Sequence, residues 1–356
     1  ALGKREPLGV CGQIIPWNAP AIMASFKLAP ALAAGNTVVL KPDENASLST
    51  LELGKHITRI FPAGVVNIVT GLGEVVGAAL SQHPKVRKLS FTGSTEVGRI
   101  VARVAADRLV PATLELGGKS ANIVFPDIDD LDAVVDNATF AAIHNNGQSC
   151  LAGTRLFVHD AIFETFKQKL IESFQRVSVG SPLDENARVS CLVSARQGEK
   201  VLEYIALGVQ EGAELLVGGA RVEVPDCPAG YFIQPTVFEV RNDMRICREE
   251  IFGPVLSLIR WSDYEQMIAQ ANDSEYGLAA GIYTSNLKHA MDTANRLEAG
   301  SVWINRYSNI SDGTAFGGYK NSGIGREFSR ETLNAYTQIK TITVQAEVPA
   351  PWFAPR

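Results

Sequence analysis

Residues Val10–Glu44 read VCGQIIPWNAPAIMASFKLAPALAAGNTVVLKPDE, and three segments follow one another in them. Val10–Ile15 is a short apolar run, Ala21–Ala34 has helical spacing, and Thr37–Leu40 is a second apolar run closed by Lys41 and Pro42. A strand, a crossover helix and a strand form the unit of a parallel sheet. The alternation continues to Phe125, with strands predicted at Val66–Val69, Lys88–Phe91 and Thr113–Leu116. Helices are predicted between them at Leu48–Ile60, Glu74–Leu80 and Glu96–Ala105, each ending near a Gly, a Pro or a polar cluster. The expectation is a doubly wound α/β domain.

After Gly117-Gly118 a second α/β layer begins. It is predicted as a strand at Ala121–Val124, a helix at Leu131–Ile143, a strand at Leu156–Val158 and a long helix from Ala161 to about Val177. Ser181–Val189 and Pro225–Gly230 read as loops, and a further helix-and-strand alternation runs from Ile251 to Asn305. Tyr336–Val344 alternates polar and apolar residues, as an exposed strand suited to pairing between subunits does.

The 356 residues, 46% of them apolar, are enough for two packed domains. A net charge of −5 without a basic block excludes a nucleic-acid partner and favours a small molecule. No apolar run reaches the roughly 18 residues of a membrane span, and the start has no apolar signal core, so no membrane partner and a cytoplasmic location are expected. The chain opens without Met and directly into a strand-like segment, which predicts that residues upstream of it are missing. Cys11, Cys150, Cys191, Cys227 and Cys247 are scattered without ligand spacing, which predicts neither a disulfide framework nor a metal site.

Four places could carry chemistry. Lys41-Pro42-Asp43-Glu44 follows the second strand, where an acidic residue can hold a ribose; the alternative is a solvated loop. Phe91-Thr92-Gly93-Ser94-Thr95-Glu96-Val97-Gly98 runs from strand through glycine turn to helix, where backbone N–H groups can receive a pyrophosphate. Its GxxxxG spacing is not a dinucleotide fingerprint, and a plain turn fits equally. Glu115 is a lone carboxylate at an apolar strand end; desolvation would raise its pKa and poise it to take a proton from water, whereas an edge strand would leave it in solvent.

The fourth place is Asn145-Asn146-Gly147-Gln148-Ser149-Cys150-Leu151-Ala152-Gly153, a small, polar, glycine-flanked loop that can present a cysteine nucleophile. Cys11, inside a strand, fits an inert thiol, and Cys191, Cys227 and Cys247 have no base or donor motif around them. Asn18, in Pro16-Trp17-Asn18-Ala19-Pro20, can offer a side-chain N–H to an oxyanion; a helix cap is the plainer role for such an Asn.

Pro16-Trp17-Asn18, Lys41-Pro42-x-Glu44, Phe91-Thr92-Gly93-Ser94, Leu114-Glu115-Leu116-Gly117-Gly118-Lys119-Ser120, Gly147-Gln148-x-Cys150, Glu249-Glu250-Ile251-Phe252-Gly253-Pro254 and Phe316-Gly317-Gly318-Tyr319-Lys320, in this order, resemble the aldehyde dehydrogenase superfamily over nearly the whole chain. The resemblance implies NAD-dependent oxidation of a small-molecule aldehyde to a carboxylic acid through a thiohemiacetal and a thioester on Cys150. Asn18 and the Cys150 N–H would stabilise the oxyanion, and Glu115 would activate the water. Glu250 would hold the nicotinamide ribose, with Phe252 packed beside it. Lys41 and Glu44 would take the adenine ribose, and Glu44 would repel a 2′-phosphate, favouring NAD over NADP. Ser94 would contact phosphate, and Ile14, Pro16, Trp17, Gly93 and Leu116 complete the implied cofactor set. Lys27 and Glu327 match positions linked to a proton relay.

The resemblance also implies a Rossmann-like cofactor domain over residues 1–118, a catalytic α/β domain over 119–320 and a return to the cofactor domain with an oligomerisation tail over 321–356. Family members begin with a further segment that completes the cofactor domain, and this chain starts after it. A homodimer or homotetramer is implied where that segment is not required. In the substrate channel, Ala19 replaces the bulky aromatic that many relatives carry after the Asn and, together with Ile310, implies a wider or less aromatic channel; Arg306 could meet a carboxylate, although a surface or structural arginine is the plainer reading. Three other readings stay open. One is a coenzyme A-acylating or phosphate-dependent relative, against which Glu115 argues; one is a thiol esterase, which needs a histidine base such as His144; the third is a truncated NAD-binding scaffold without turnover.

Overall fold

The computed structural model describes residues 1–347 and 352–353. Two parallel-rich sheets dominate. The first has six strands in the order Gly323–Ile324, Ala112–Glu115, Val86–Thr92, Val10–Ile14, Thr37–Lys41 and Val66–Ile68. All its pairs are parallel except that of Gly323–Ile324 with Ala112–Glu115. Val10–Ile14 is central, flanked by its successor Thr37–Lys41 on one side and by Val86–Thr92 on the other, so the connections diverge there and leave a crevice beyond its carboxyl end.

The second sheet has seven strands in the order Ser301–Ile304, Ala279–Tyr283, Ala121–Val124, Arg155–His159, Val255–Trp261, Thr236–Glu239 and Glu214–Val217. Only the last pair is antiparallel. Its inner strands are buried nearly end to end, as strands covered on both faces must be, while the edge strands Ser301–Ile304 and Glu214–Val217 are not.

The helices follow local signals. Pro20–Ala33 starts on a proline, whose missing N–H costs nothing at a helix start, and buries Ala24, Lys27, Leu28 and Ala31 as one stripe. Lys27 is the polar member of that stripe. Thr95–Asp107 is capped by Ser94, whose hydroxyl oxygen accepts the Val97 N–H, and it packs through Gly98, Val101 and Ala105. A Cβ on Gly98 would lie 2.4 Å from Leu116, so this glycine serves close helix-to-strand packing.

Some expectations need correction. The helix expected at Glu74–Leu80 is a wide π-turn, Gly73–Gly77, running into a short α-helix, Ala78–Gln82. The helix expected from Ala161 opens as a 3-10 turn, Asp160–Ile162, before Phe163–Gln175. A sixteen-residue helix, Ala195–Gln210, was not anticipated. Neither was the strand Leu2–Pro7, which pairs antiparallel with Thr337–Ile342. The expected tail strand therefore has a partner within its own chain, and both strands are largely exposed. The end of the expected 321–356 segment, residues 348–351 and 354–356, lies outside the described residues.

Candidate active site

The crevice beyond the carboxyl ends of Val10–Ile14, Thr37–Lys41 and Val86–Thr92 is a cleft of about 470 Å³. Ile14, Pro16, Trp17, Lys41, Glu44, Gly93 and Ser94 line it. Lys41, almost fully buried, donates from Nζ to the Pro42 oxygen at 2.8 Å and to Glu44 Oε2 at 3.1 Å, which fixes the Glu44 carboxylate at the rim. Burial alone would raise the Glu44 carboxyl, but main-chain N–H groups of Glu44 and Gly73 and the Lys41 ammonium outweigh it and hold it below its usual range. The π-turn places Gly73 and Gly77 along the same wall.

A second cavity of about 200 Å³ joins the first, since Pro16, Trp17, Thr92, Gly93 and Ser94 line both. It holds Cys150, Asn18, Leu116, Glu250 and Phe252. All ten residues expected to bind cofactor thus line one or other of two joined cavities.

The cysteine loop is held by residues far away in sequence. Asn145, Asn146 and Gly147 are three successive left-handed residues, a conformation that Asn and Gly tolerate best. Gly147 is obligatory here, because a Cβ would lie 2.2 Å from the Gly253 oxygen. Asn145 Nδ2 donates to the Asn18 oxygen at 2.7 Å and to the Gln148 oxygen at 3.1 Å. Asn146 accepts the Ser190 N–H at 2.7 Å and donates to the Cys191 oxygen at 3.1 Å. On the far side, the buried Tyr307 hydroxyl donates to the Leu151 oxygen at 2.7 Å.

Asn18 Nδ2 donates one hydrogen to the Gln148 oxygen at 3.1 Å. That bond fixes the amide and leaves its second hydrogen for another acceptor. The residue is not a helix cap: the helix starting at Pro20 has no side-chain cap.

The Cys150 thiol is pushed up to about 12 by burial, then by the negative charges of Glu250 and Glu115, against the pull of the Cys150 and Leu151 N–H groups. Left to its protein neighbours, the sulfur keeps its proton at neutral pH.

Glu250 Oε1 accepts the Gly118 N–H at 2.9 Å, and burial raises its carboxyl. A Cβ on Gly117 would lie 2.6 Å from Glu250 Oε2, so the glycine makes room for this carboxylate. Phe252 has φ of +60° and meets Trp17 edge-on, ring centres 5.2 Å apart. The strained backbone is held by the unanticipated helix: Gln197 Nε2 donates to the oxygens of Ile251 and Phe252 at 3.1 and 2.8 Å, and Lys200 Nζ to that of Glu250 at 3.1 Å. Both side chains line the inner cavity, and sequence reasoning missed them. Ser194, which caps that helix, ahead of apolar Val201, Leu202 and Ile205, was the available signal.

Glu115, Lys27 and Glu327 line neither cavity; they form a buried layer behind. Lys27 Nζ donates to Glu327 Oε1 at 2.7 Å and to Ser90 Oγ at 3.1 Å. The strand of Glu115 is flanked on both sides, so the residue is not on a solvated edge. Its carboxyl oxygens are buried with no hydrogen-bond partner among the described residues. Burial, then the negative charge of Glu327, raises it well above the usual carboxyl range, opposed by Lys27 and Arg326.

Cys11 and Cys247 are fully buried, and all five cysteines are free. His144 is exposed and packs on Phe140, ring centres 4.8 Å apart, with no hydrogen bond to Cys150 among the described residues. Arg306 is exposed, and neither it nor Ile310 lines the two joined cavities.

The donor set suits a dinucleotide. An anchored carboxylate stands at each end, Glu44 and Glu250, and between them a glycine turn opens a thirteen-residue helix.

Comparison with known proteins gives the same picture. The model of the aldehyde dehydrogenase family matches residues 1–342. The chain is 46% identical over 345 residues to an aldehyde dehydrogenase of Enchytraeus buchholzi, covering 96% of this chain and 68% of that one. It is 45% identical over 345 residues to a retinal dehydrogenase 2 of Gallus gallus, covering 96% and 66%. The NAD+ complex of an aldehyde dehydrogenase from Bacillus cereus superposes with a TM-score of 0.94 at 44% identity, over 97% of this chain and 70% of that one. The chain spans about two thirds of the length of these relatives.

Proposed function

The chain belongs to the aldehyde dehydrogenase family, whose reaction is the NAD-dependent oxidation of an aldehyde to a carboxylic acid, and from that premise we propose how its residues divide the work. The observation that carries the reading is the meeting of Cys150, Asn18, Glu250 and Phe252 in one cavity that opens into the Lys41–Glu44 cleft.

Lys41 and Glu44 hold the adenine ribose, and the Glu44 carboxylate repels a 2′-phosphate, so NAD is preferred to NADP. Ser94 and the start of the helix Thr95–Asp107 receive phosphate, since the Ser94 hydroxyl accepts from Val97 and keeps its own hydrogen to donate. Glu250, fixed by Gly118, holds the second ribose, and Phe252 packs against Trp17 beside it. When bound, the cofactor supplies a positively charged nicotinamide ring that accepts the hydride.

The Cys150 thiol gives its proton to solvent, its thiolate favoured by the positive charge of a bound nicotinamide, and the sulfur attacks the aldehyde carbon as the carbonyl π bond opens. The carbonyl oxygen gains negative charge, met by the spare Asn18 amide hydrogen and by the Cys150 N–H. Loss of hydride leaves a thioester on Cys150. Glu115 takes a proton from water as the water oxygen bonds to the acyl carbon; the C–S bond then breaks, the acid leaves and Cys150 departs as thiolate. Lys27 and Glu327 carry the proton away from Glu115 through the buried layer.

The six-stranded sheet serves as the cofactor domain and the seven-stranded sheet as the catalytic domain. The exposed ribbon of Leu2–Pro7 and Thr337–Ile342, with Leu2, Ile339 and Ile342 open to solvent, is the surface on which copies associate as a homodimer or homotetramer. No described helix is long and apolar enough to cross a membrane. The test is NADH formation from NAD and a panel of aliphatic, aromatic and carboxylate-bearing aldehydes, compared with Cys150→Ala. Cysteine-dependent turnover supports the reading; a folded protein that binds NAD and turns over none of them contradicts it.

A further inference from the structure

The Ala152 N–H donates to the Ser149 oxygen at 3.1 Å, which makes Cys150 and Leu151 the two central residues of a hydrogen-bonded β-turn. The N–H groups of both residues reach the Cys150 sulfur. Where the sulfur points, and whether those donors meet it, therefore depends on the backbone angles of these two residues and on the Cys150 rotamer.

The two peptide groups of the turn are fixed in different ways. The Cys150 oxygen faces Gly118, where a Cβ would lie 2.3 Å from it, and Gly118 is tied in turn to Glu250 through its N–H at 2.9 Å. The next peptide, between Leu151 and Ala152, is held at both ends: its N–H by the Ser149 oxygen, and its own oxygen by the Tyr307 hydroxyl at 2.7 Å. The first of these bonds belongs to the turn itself. The second comes from a residue 156 positions away.

The chain is bent to bring Tyr307 there. It follows Ser301–Ile304, the edge strand of the seven-stranded sheet. Asn305 turns the backbone at φ of +55°, and its side chain locks that turn to the neighbouring strand end: Oδ1 accepts the Thr284 N–H at 3.0 Å and Nδ2 donates to the Thr284 oxygen at 2.9 Å. Ser308 is left-handed as well, at φ of +58°, a conformation unfavourable for a serine. Trp303 Nε1 donates to the Asn309 oxygen at 2.7 Å and closes the loop, with its ring centre 5.0 Å from that of Tyr307. Two glycines make room for the Tyr307 ring: a Cβ on Gly281 would lie 2.6 Å from it and one on Gly153 3.0 Å. Tyr307 is thus 5% exposed, and strained backbone is retained to seat it.

A phenylalanine would fill that space without taking a hydroxyl out of water. Burial pushes the Tyr307 hydroxyl up, so it keeps its proton and acts as a donor. Tyr307 lines neither of the two joined cavities, so its effect on the chemistry runs through the turn.

We infer that Tyr307 is a positioning residue for the nucleophile: its hydroxyl, by fixing the peptide between Leu151 and Ala152, keeps Cys150 and Leu151 in the turn that aims the sulfur and sets two N–H donors on it. The inference rests on Cys150 being the nucleophile named under the proposed function. The Cys150 N–H is also the main-chain donor to the oxyanion in that reading, so a loosened turn slows acylation and leaves cofactor binding alone.

The test reads the thiol with and without turnover. Tyr307→Phe keeps the ring and removes the hydroxyl. Alkylation of Cys150 by iodoacetamide in the cofactor-free protein is followed by peptide mapping, because all five cysteines are free. It is expected to slow by about threefold to tenfold at each pH, since a thiolate that loses its donors is less populated and one pKa unit is a tenfold change. The rate of the NADH burst is expected to fall by about tenfold, with the Kd for NAD within about twofold of the parent protein; a packing defect alone would not produce that split. Trp303→Phe, which removes the bond to Asn309 and leaves the Tyr307 hydroxyl present, is expected to move both rates the same way by less. Alkylation that is unchanged or faster in Tyr307→Phe, or an unchanged burst, overturns the inference, and should Tyr307→Phe not fold, Trp303→Phe decides alone. Because alkylation needs no turnover, slowed alkylation in a protein that oxidises no aldehyde supports the positioning role and counts against the proposed reaction.

Discussion

Asn18 Nδ2 lies 3.1 Å from the main-chain oxygen of Gln148, so a side chain from the end of the first sheet's central strand is tied to the loop that carries the nucleophile. One amide hydrogen is spent on that tie and the other is left over. Asn18→Ala is expected to lower kcat by about 10²–10³, the usual effect of deleting one oxyanion donor, while KM for NAD stays within about twofold. Steady-state kinetics with saturating aldehyde checks this.

Glu115→Gln removes the base and leaves Cys150 and Asn18 in place. Acylation with hydride transfer is expected to continue and deacylation to slow by about 10²–10⁴. Stopped-flow should show a burst of NADH close to one per active subunit, followed by almost no turnover.

Glu44 stands at the cleft rim beside Lys41. Glu44→Gln keeps the shape and removes the negative charge, so kcat/KM for NADP should rise about tenfold or more relative to NAD, since one like-charge contact relieved is worth at least about 1.4 kcal/mol. A ratio unchanged between the two cofactors would remove Glu44 from the specificity argument.

Lys27 and Glu327 form a fully buried pair. Lys27→Met leaves a buried carboxylate without its ammonium, and the expected loss of unfolding free energy is about 3–5 kcal/mol. The double variant with Glu327→Gln should recover part of it. Urea denaturation of the four proteins gives the coupling energy directly.

Cys150 is raised to about 12 by burial and by two carboxylates. A raised thiol pKa means that the reactive thiolate grows with pH, so its alkylation by iodoacetamide in the cofactor-free protein should climb about tenfold per pH unit from about 7 to 11. For stability the sign is the reverse. The unfolded thiol titrates near about 8.5; below that the thiol's contribution is fully present, and it is lost as pH rises toward the folded value. NAD, bringing positive charge, should speed the alkylation at neutral pH.

The cofactor sheet was legible because each of its first strands is a short apolar run followed by a helix with helical spacing, and the order of those runs decides where the crevice lies. Glu115 was legible only as a choice between a desolvated base and an edge residue. The antiparallel addition of Gly323–Ile324, more than two hundred residues later, decides that choice, and no local pattern announces it. Leu2–Pro7 was missed because Lys4, Arg5 and Glu6 give it no apolar face, and it is a strand only through Thr337–Ile342. Gln197 and Lys200 were missed because their bonds go to the backbone of Glu250–Phe252, some fifty residues away, and not to any side-chain motif. The left-handed run at Asn145-Asn146-Gly147 could have been read from its residue types alone.

The central claim is that the aldehyde becomes an acyl group on Cys150 before water releases it. The most direct measurement is mass spectrometry of the Glu115→Gln protein after mixing with NAD and an aldehyde, quenched in acid and digested. The account predicts that the peptide containing Cys150 carries the added mass of the acyl group, that the adduct is lost with hydroxylamine, and that it is absent without NAD. An unmodified Cys150 peptide accompanied by stoichiometric NADH would contradict it.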